Sequence, residues 1–309
     1  PGDAGADARY FSNPRLRTGH NEGLTGVGTD GANYRFQTPA IVAGQTYRST
    51  NANPTFMAND TFSNTRASGG VWPHSLDNPA VPGQCGLDVG IVVDLSGSIS
   101  TSGGANSELN QLKNAVTAFG NGLAGTTSTV TGYAFATSIL TGGRYSLAPT
   151  STAGGAAAVS SWASGLPAPT AGAATNWDRG LYQTAGKGHD VVILLTDGNP
   201  TRYGTGQNQG SDVLNRFREV EEAIFSANAV KNGGTRVLAL GVGSGVERPA
   251  AGLNLRAVSG PTKYTGSNIM TADYFQQSSY TDAATALKSL ALESCKGTLT
   301  VVKKVLPHG

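Results

Sequence analysis

Three short stretches of this 309-residue chain gather oxygen donors of the hard kind. Asp94-Leu95-Ser96-Gly97-Ser98 sets a carboxylate and two hydroxyls at alternate positions. Ala174-Thr175-Asn176-Trp177-Asp178 offers a hydroxyl, an amide and a carboxylate, and Thr196-Asp197-Gly198-Asn199-Pro200-Thr201 brings another carboxylate flanked by hydroxyls. Carboxylate and hydroxyl oxygens without Cys or His suit Mg2+, Ca2+ or Mn2+ rather than zinc. Two carboxylates balance the charge of a dication, and neutral serine and threonine donors complete its shell without quenching its pull on a further anion. The three stretches therefore offer the donors for one divalent cation, Mg2+, Ca2+ or Mn2+. Such a cation can accept a carboxylate from another molecule. Taken alone, the first stretch reads as a strand-to-helix turn with a capping serine; Thr175 and Asp197 change that reading.

Other chemistry finds less support. There is no Gly-x-Ser-x-Gly elbow and no His-Glu-x-x-His, and the chain has four histidines. His189 precedes a predicted strand, which sets it about 23 Å from Asp197, too far to serve as a base there. A phosphotransferase with Asp94 as nucleophile would want a second carboxylate where Ser96 stands. Gly241-Val242-Gly243-Ser244-Gly245 lacks the dinucleotide spacing and follows a late strand. Asp178 is expected to orient its loop and Trp177 to anchor packing. Asn199, Thr201, Arg202 and Tyr203 flank the candidate site and are possible partner contacts, although ordinary loop chemistry explains them equally well. No enzymatic function is expected.

These donors need a scaffold. Leu87–Asp94 and Asp190–Thr196 are apolar runs of strand length, as in strands buried on both faces of a parallel sheet. Leu109, Leu112, Val116 and Phe119 recur at helical spacing. Ser128–Ala136 reads as a strand, with Ile139–Leu147 pairing beside it as one antiparallel edge strand. Ala156–Ala163 and Asn176–Ala185 are predicted helices. Val213–Lys231 is a long amphipathic helix, Arg236–Val242 a fifth core strand, Lys263–Tyr264 a sixth, and Tyr280–Leu292 a closing helix. The alternation predicts an α/β fold: a doubly wound, mostly parallel six-stranded sheet with helices on both faces, of Rossmann-like type. In such sheets ligands bind at the carboxyl ends of the strands, where all three donor stretches fall.

Residues 1–84 have no sustained period and scattered aromatics, which predicts an irregular, β-leaning segment packed on the main domain. The main domain spans 85–295, and 296–309 begins a following β-domain or linker strand. Charged residues make up 14% of the chain and its net charge is +2, which gives no case for nucleic acid as a partner. No apolar run approaches membrane-spanning length. Cys85 and Cys295 bracket the domain. One disulfide closing it is expected if its ends meet, worth about 5 kcal/mol at most and implying an oxidising compartment; two unpaired buried thiols are the alternative.

Asp94-x-Ser96-x-Ser98, with Thr175 and Asp197 at these sheet positions, resembles the metal-ion-dependent adhesion site of von Willebrand factor A domains. The likeness covers about residues 86–295, including the order of strands and helices and the terminal cysteines. It implies that Ser96 and Ser98 ligate directly, and that Thr175, Asp94 and Asp197 ligate directly or through water according to whether a partner is bound. It further implies a cell-surface, extracellular binding module whose partner is a protein or glycan presenting a carboxylate. The alternative is a structural or assembly module whose metal only braces the loops. The flanks resemble surface proteins and pilus-tip adhesins of Gram-positive bacteria, actinobacteria in particular. Thr298–Val305 resembles the opening strand of a Cna-B or pilin-type repeat, which implies that Lys303 or Lys304 could form an isopeptide bond with an Asn beyond Gly309.

Overall fold

The computed structural model describes residues 76–82, 86–205, 210, 212, 217–246, 249–277 and 279–293. The expectations for residues 1–75, for the Cys85–Cys295 pair and for Lys303 and Lys304 lie outside these residues.

Seven strands form one sheet. β1 (Asp88–Asp94), β5 (Val191–Thr196) and β6 (Arg236–Val242) are its centre, and almost every residue in them is buried, as interior parallel strands require. β2 (Thr129–Phe135) lies outside β1, and β7 (Tyr274–Gln277) lies outside β6. These contacts are all parallel. β3 (Ile139–Leu140) and β4 (Leu147–Ser151) both run antiparallel along the outer edge of β2.

Helices cover both faces. α1 (Glu108–Leu123), α2 (Ala157–Gly165) and α6 (Tyr280–Glu293) share one core with Ile91, Val93 and Leu240. α3 (Trp177–Tyr182), α4 (Phe217–Asn232) and α5 (Pro249–Ser259) share the other with Val92, Leu194 and Val237. α1 starts at Ser107, whose hydroxyl accepts from Asn110 N at 3.3 Å, and buries Leu112, Val116 and Phe119.

The architecture is the predicted doubly wound one, with seven strands in place of six. The single edge strand expected over Ile139–Leu147 is two strands, because Gly142 and Gly143 take positive φ (77° and 48°) and swing the chain away from β2 between them. The sixth core strand is Tyr274–Gln277; Lys263 touches it only through an isolated bridge to Tyr274. α5 has no counterpart among the sequence expectations. Gly252 and two asparagine-flanked leucines in PAAGLNLRAVS blur its period.

Residues 76–82 form a strap at the amino-terminal edge of the sheet. Asn78 Nδ2 donates to Val237 O at 2.7 Å and to Asp273 Oδ1 at 2.8 Å, and its Oδ1 accepts from Val237 N at 2.9 Å. Lys231 Nζ donates to Leu76 O and Arg236 Nη1 to Pro79 O, each at 2.8 Å. Buried Arg236 also pairs with Asp273 at 2.7 Å.

β1 connects outward to β2 on one side, while β5 connects outward to β6 on the other. Between the carboxyl ends of β1 and β5 the winding therefore reverses, which is where open α/β sheets form a binding crevice.

Candidate metal centre

The register that pairs Val93 with Leu195 brings the last residues of β1 and β5, Asp94 and Thr196, side by side. Thr196 Oγ1 donates to Asp94 Oδ2 at 2.6 Å. It also accepts from the buried Trp177 indole at 3.2 Å, so Trp177 packs under the site as expected. Beyond β1 the chain turns at once, with Ser96 N donating to Asp94 Oδ1 at 2.8 Å. The turn carries the two serine hydroxyls outward: Ser96 Oγ lies 3.1 Å from Ser98 Oγ, which donates to Asp197 Oδ1 at 2.9 Å. Asp94 and Ser96 are buried and Ser98 is exposed, so the cluster opens to solvent at Ser98.

The other two loops are tied to this one through backbone. Gly97 N donates to Ala173 O at 2.8 Å. A Cβ on Gly97 would come within 2.8 Å of Gly172 N, so this approach of two loops requires glycine. Thr201 N and Arg202 N both donate to Thr175 O, at 2.9 and 3.1 Å, and Thr175 N donates to Thr201 Oγ1 at 3.1 Å. Asn176 caps α3 through Arg179 N at 3.1 Å, and its amide reaches Thr137 O and Gly204 O, each at 3.0 Å. Asp178 accepts from Gly204 N at 2.7 Å and pairs with Arg179 at 3.1 Å; its contacts hold the loop, as expected.

Four of the five predicted ligands thus share one hydrogen-bonded cluster. Thr175 is tied to the neighbouring loop by its backbone; it is 5% exposed, and its hydroxyl enters none of the cluster's hydrogen bonds.

The two carboxylates are 0% and 4% exposed, and no Lys, Arg or His among the described residues forms an ion pair with either. Burial, and then the nearby charge of Asp94, pushes the Asp197 carboxyl far above the usual carboxylate range. Burial likewise raises Asp94, against the opposing hydrogen bonds from Thr196 and Ser96. Two buried acids that repel each other and lack a counter-charge are what a dication would relieve. Among the described residues no group of three or more His, Cys, Asp or Glu side chains is disposed to hold a metal, so a cation here relies on hydroxyls for the rest of its shell. The donor set of two carboxylates and three hydroxyls fits Mg2+, Ca2+ or Mn2+.

Two contributors were missed from sequence. Thr196 links Asp94 to the end of β5. Glu108, in the first turn of α1, adds a negative charge that helps raise Asp197 and accepts from Ser100 N at 2.9 Å. Its only sequence signal was an acid at a helix start, where the helix dipole favours one anyway.

The candidate partner contacts are largely engaged within the chain. Asn199 Oδ1 accepts from Asn254 at 2.9 Å, and the Thr201 hydroxyl holds Thr175 N. Arg202 Nη1 reaches both oxygens of Asp212, at 2.6 and 2.8 Å. Tyr203 is 2% exposed, so its side chain supports the loop from beneath and does not face a partner. His189 sits at the opposite edge of the sheet, 2.6 Å from Asp88 at the start of β1 and 2.8 Å from the Tyr133 hydroxyl.

No family model and no curated protein matches the chain by sequence. Solved structures do match. The D319A mutant of the PilB minor pilin from Streptococcus sanguinis superposes with a TM-score of 0.51 at 15% identity, over 68% of this chain and 62% of that one. The vWF domain of the type V pili tip protein Mfa5 from Porphyromonas gingivalis gives 0.50 at 13% identity, over 70% of this chain and 99% of that domain. The pilus adhesin SpaC from Lactobacillus rhamnosus GG gives 0.46 at 18% identity, over 72% and 32%. The chain therefore spans about a third of SpaC and less than two thirds of PilB. At these identities the likeness concerns architecture: the described chain has the α/β fold of von Willebrand factor type A domains.

Proposed function

We propose that Asp94, Ser96, Ser98, Thr175 and Asp197 hold one divalent cation, Mg2+ ahead of Ca2+ and Mn2+, and that the chain uses it to bind a carboxylate on a protein or glycan partner at a cell surface. The observation that carries this reading is the pair of buried, unneutralised carboxylates joined by serine hydroxyls to a solvent-exposed rim at Ser98. A bound dication would supply the missing charge and an electrophilic position for an incoming anion. The chain's own part is to fix the donors: Thr196 aims Asp94, the 96–98 turn presents two hydroxyls, and Thr201 anchors the Thr175 loop. The reading is one of binding without catalysis, since the described histidine, His189, lies at the far edge of the sheet.

A purely structural role, with the cation bracing three loops, gains less support. Those loops are already joined by direct bonds, Gly97 N to Ala173 O and Thr201 N to Thr175 O. A pilus-tip domain among the fold neighbours agrees with a surface-exposed binding role.

The test is binding of the chain to acid-bearing protein and glycan arrays in Mg2+ and in EDTA, with Asp94→Ala alongside. Binding should vanish in EDTA and in the variant, while circular dichroism shows the variant folded. Binding retained under either condition overturns the proposal.

A further inference from the structure

Beside the acidic cluster, on its β2 side, the surface opens into a pocket of about 380 Å³. Leu95, Ala136, Leu140 and Tyr145 line one side, and the loop 168–173 lines the other. Pocket and cluster share a wall. Leu95 lies between Asp94 and Ser96, and Ala173 O, on the loop wall, holds Gly97 N at 2.8 Å.

None of the residues lining the pocket is charged, so it has nothing with which to pair a basic or acidic group. Its hydroxyls are partly committed: Thr137 Oγ1 accepts from Ala174 N at 2.9 Å, and Ser138 Oγ donates to Ile139 O at 3.4 Å. A saccharide entering here would give up water on several hydroxyls with no amide or charged side chain to replace it, which is unfavourable. An aliphatic side chain gives up no hydrogen bonds of its own on entering and gains burial against leucine, alanine and proline, at some cost from covering the hydroxyls of Thr137, Ser138, Tyr145 and Thr170.

We propose that this pocket receives an uncharged apolar side chain one or two residues from the acidic residue that a protein partner presents to the cluster. The surface then reads a two-part signature on an extended peptide, an acid beside an aliphatic residue. This proposal rests on the binding reading above. The shared Leu95 wall sets the spacing, because neighbouring residues of an extended chain advance about 3.3 Å each.

The test uses labelled hexapeptides with one central Asp flanked by Leu, Ser or Lys, titrated by fluorescence polarisation in Mg2+ and in EDTA. They are compared on the chain and on Ala171→Trp, which fills the pocket from an exposed position outside the acidic cluster. The Leu peptide should bind at least tenfold tighter than the Ser or Lys peptide, about 1.4 kcal/mol. Ala171→Trp should erase that difference while the Mg2+-induced rise in melting temperature is unchanged. Equal affinities for the three peptides, or no binding of any at about 1 mM (~4 kcal/mol), overturn the proposal. A Leu preference that survives EDTA supports the pocket and separately overturns the metal reading. Free glucuronate or sialic acid binding tighter than any peptide, and lost in Ala171→Trp, overturns it in favour of a saccharide. Should Ala171→Trp fail to fold, Thr170→Trp on the same wall gives the same readings.

Discussion

Asp197→Asn replaces a buried carboxylate with a neutral side chain of the same shape, and it should stabilise the cation-free chain while abolishing the gain that a divalent cation gives. In the cation-free chain, burial and the adjacent Asp94 push the Asp197 carboxyl from 3.8 up to about 8. A group raised in the folded state contributes its full stability below the unfolded value and loses it as pH climbs toward the folded value. Near pH 8 most of that contribution is gone, and the ionised acid opposes folding. At face value the difference is about 5 kcal/mol. Water entering around the charges raises the local dielectric and leaves roughly half, about 2–3 kcal/mol. Asparagine carries no such penalty, and its Oδ1 can still accept from Ser98 Oγ, as Asp197 does at 2.9 Å. At about 2–4 °C per kcal/mol for a domain of this size, the variant in EDTA should melt about 5–10 °C above the unsubstituted chain near pH 8. The gap should close toward pH 4. Excess Mg2+ should stabilise the unsubstituted chain, by about 2.7 kcal/mol at a hundredfold over Kd, and leave the variant where it was. Differential scanning fluorimetry across this pH range, in EDTA and in Mg2+, measures all of this. A variant that melts at or below the parent in EDTA near pH 8, or that gains as much from Mg2+, would refute the claim of an uncompensated acid pair.

Three further outcomes follow from the contacts. Thr196→Val removes the hydrogen bond to Asp94 and the acceptor of the Trp177 indole; urea denaturation should show a loss of about 2–3 kcal/mol, and calorimetry a weaker Mg2+ affinity. Tyr280→Phe should be neutral or stabilising by up to about 1 kcal/mol, since the Tyr280 hydroxyl is buried without a hydrogen-bond partner among the described residues; a loss above that in urea would show an unrecognised partner. Asn78→Ala cuts three hydrogen bonds of the strap and should cost about 2 kcal/mol, with faster amide exchange at Val237 and an unchanged response to Mg2+.

The central strands were legible in sequence because strands buried on both faces must be apolar, and Val89–Val93 and Val191–Leu195 satisfy that rule without interruption. The donor stretches were legible because each directly follows a strand or opens a helix, so their place at one edge follows from the winding. The β3–β4 break was hidden: Gly142 and Gly143 punctuate a run whose flanks both fit an edge strand, and only the register against β2 separates them. β7 was misplaced since Lys263–Tyr264 and Tyr274–Gln277 are both short, and sheet neighbours decide between them. Tyr203 looked like a surface residue in a polar loop, yet it fills space beneath that loop, a tertiary fact with no local signal. Glu108 lies ten residues beyond Ser98, the hydroxyl partner of Asp197, in no motif at all; the fold of the 98–107 turn is what brings its charge near Asp197.

The strap at 76–82 gives the molecule a mechanical polarity. It grips the start of β6 and the end of α4 at one pole, and α6, which begins beside Glu108 and packs along α1, runs toward that same pole. The acidic cluster lies at the other pole. A partner held at the cluster and pulled against the strap would load β1, β5 and β6 along their lengths. Each of these strands is clamped by parallel neighbours on both sides, so their ladders would have to slip together in shear and could not unzip one bond at a time. In this geometry a pull between the two poles would run along the strands and through the strap's hydrogen bonds to Val237, Asp273, Lys231 and Arg236.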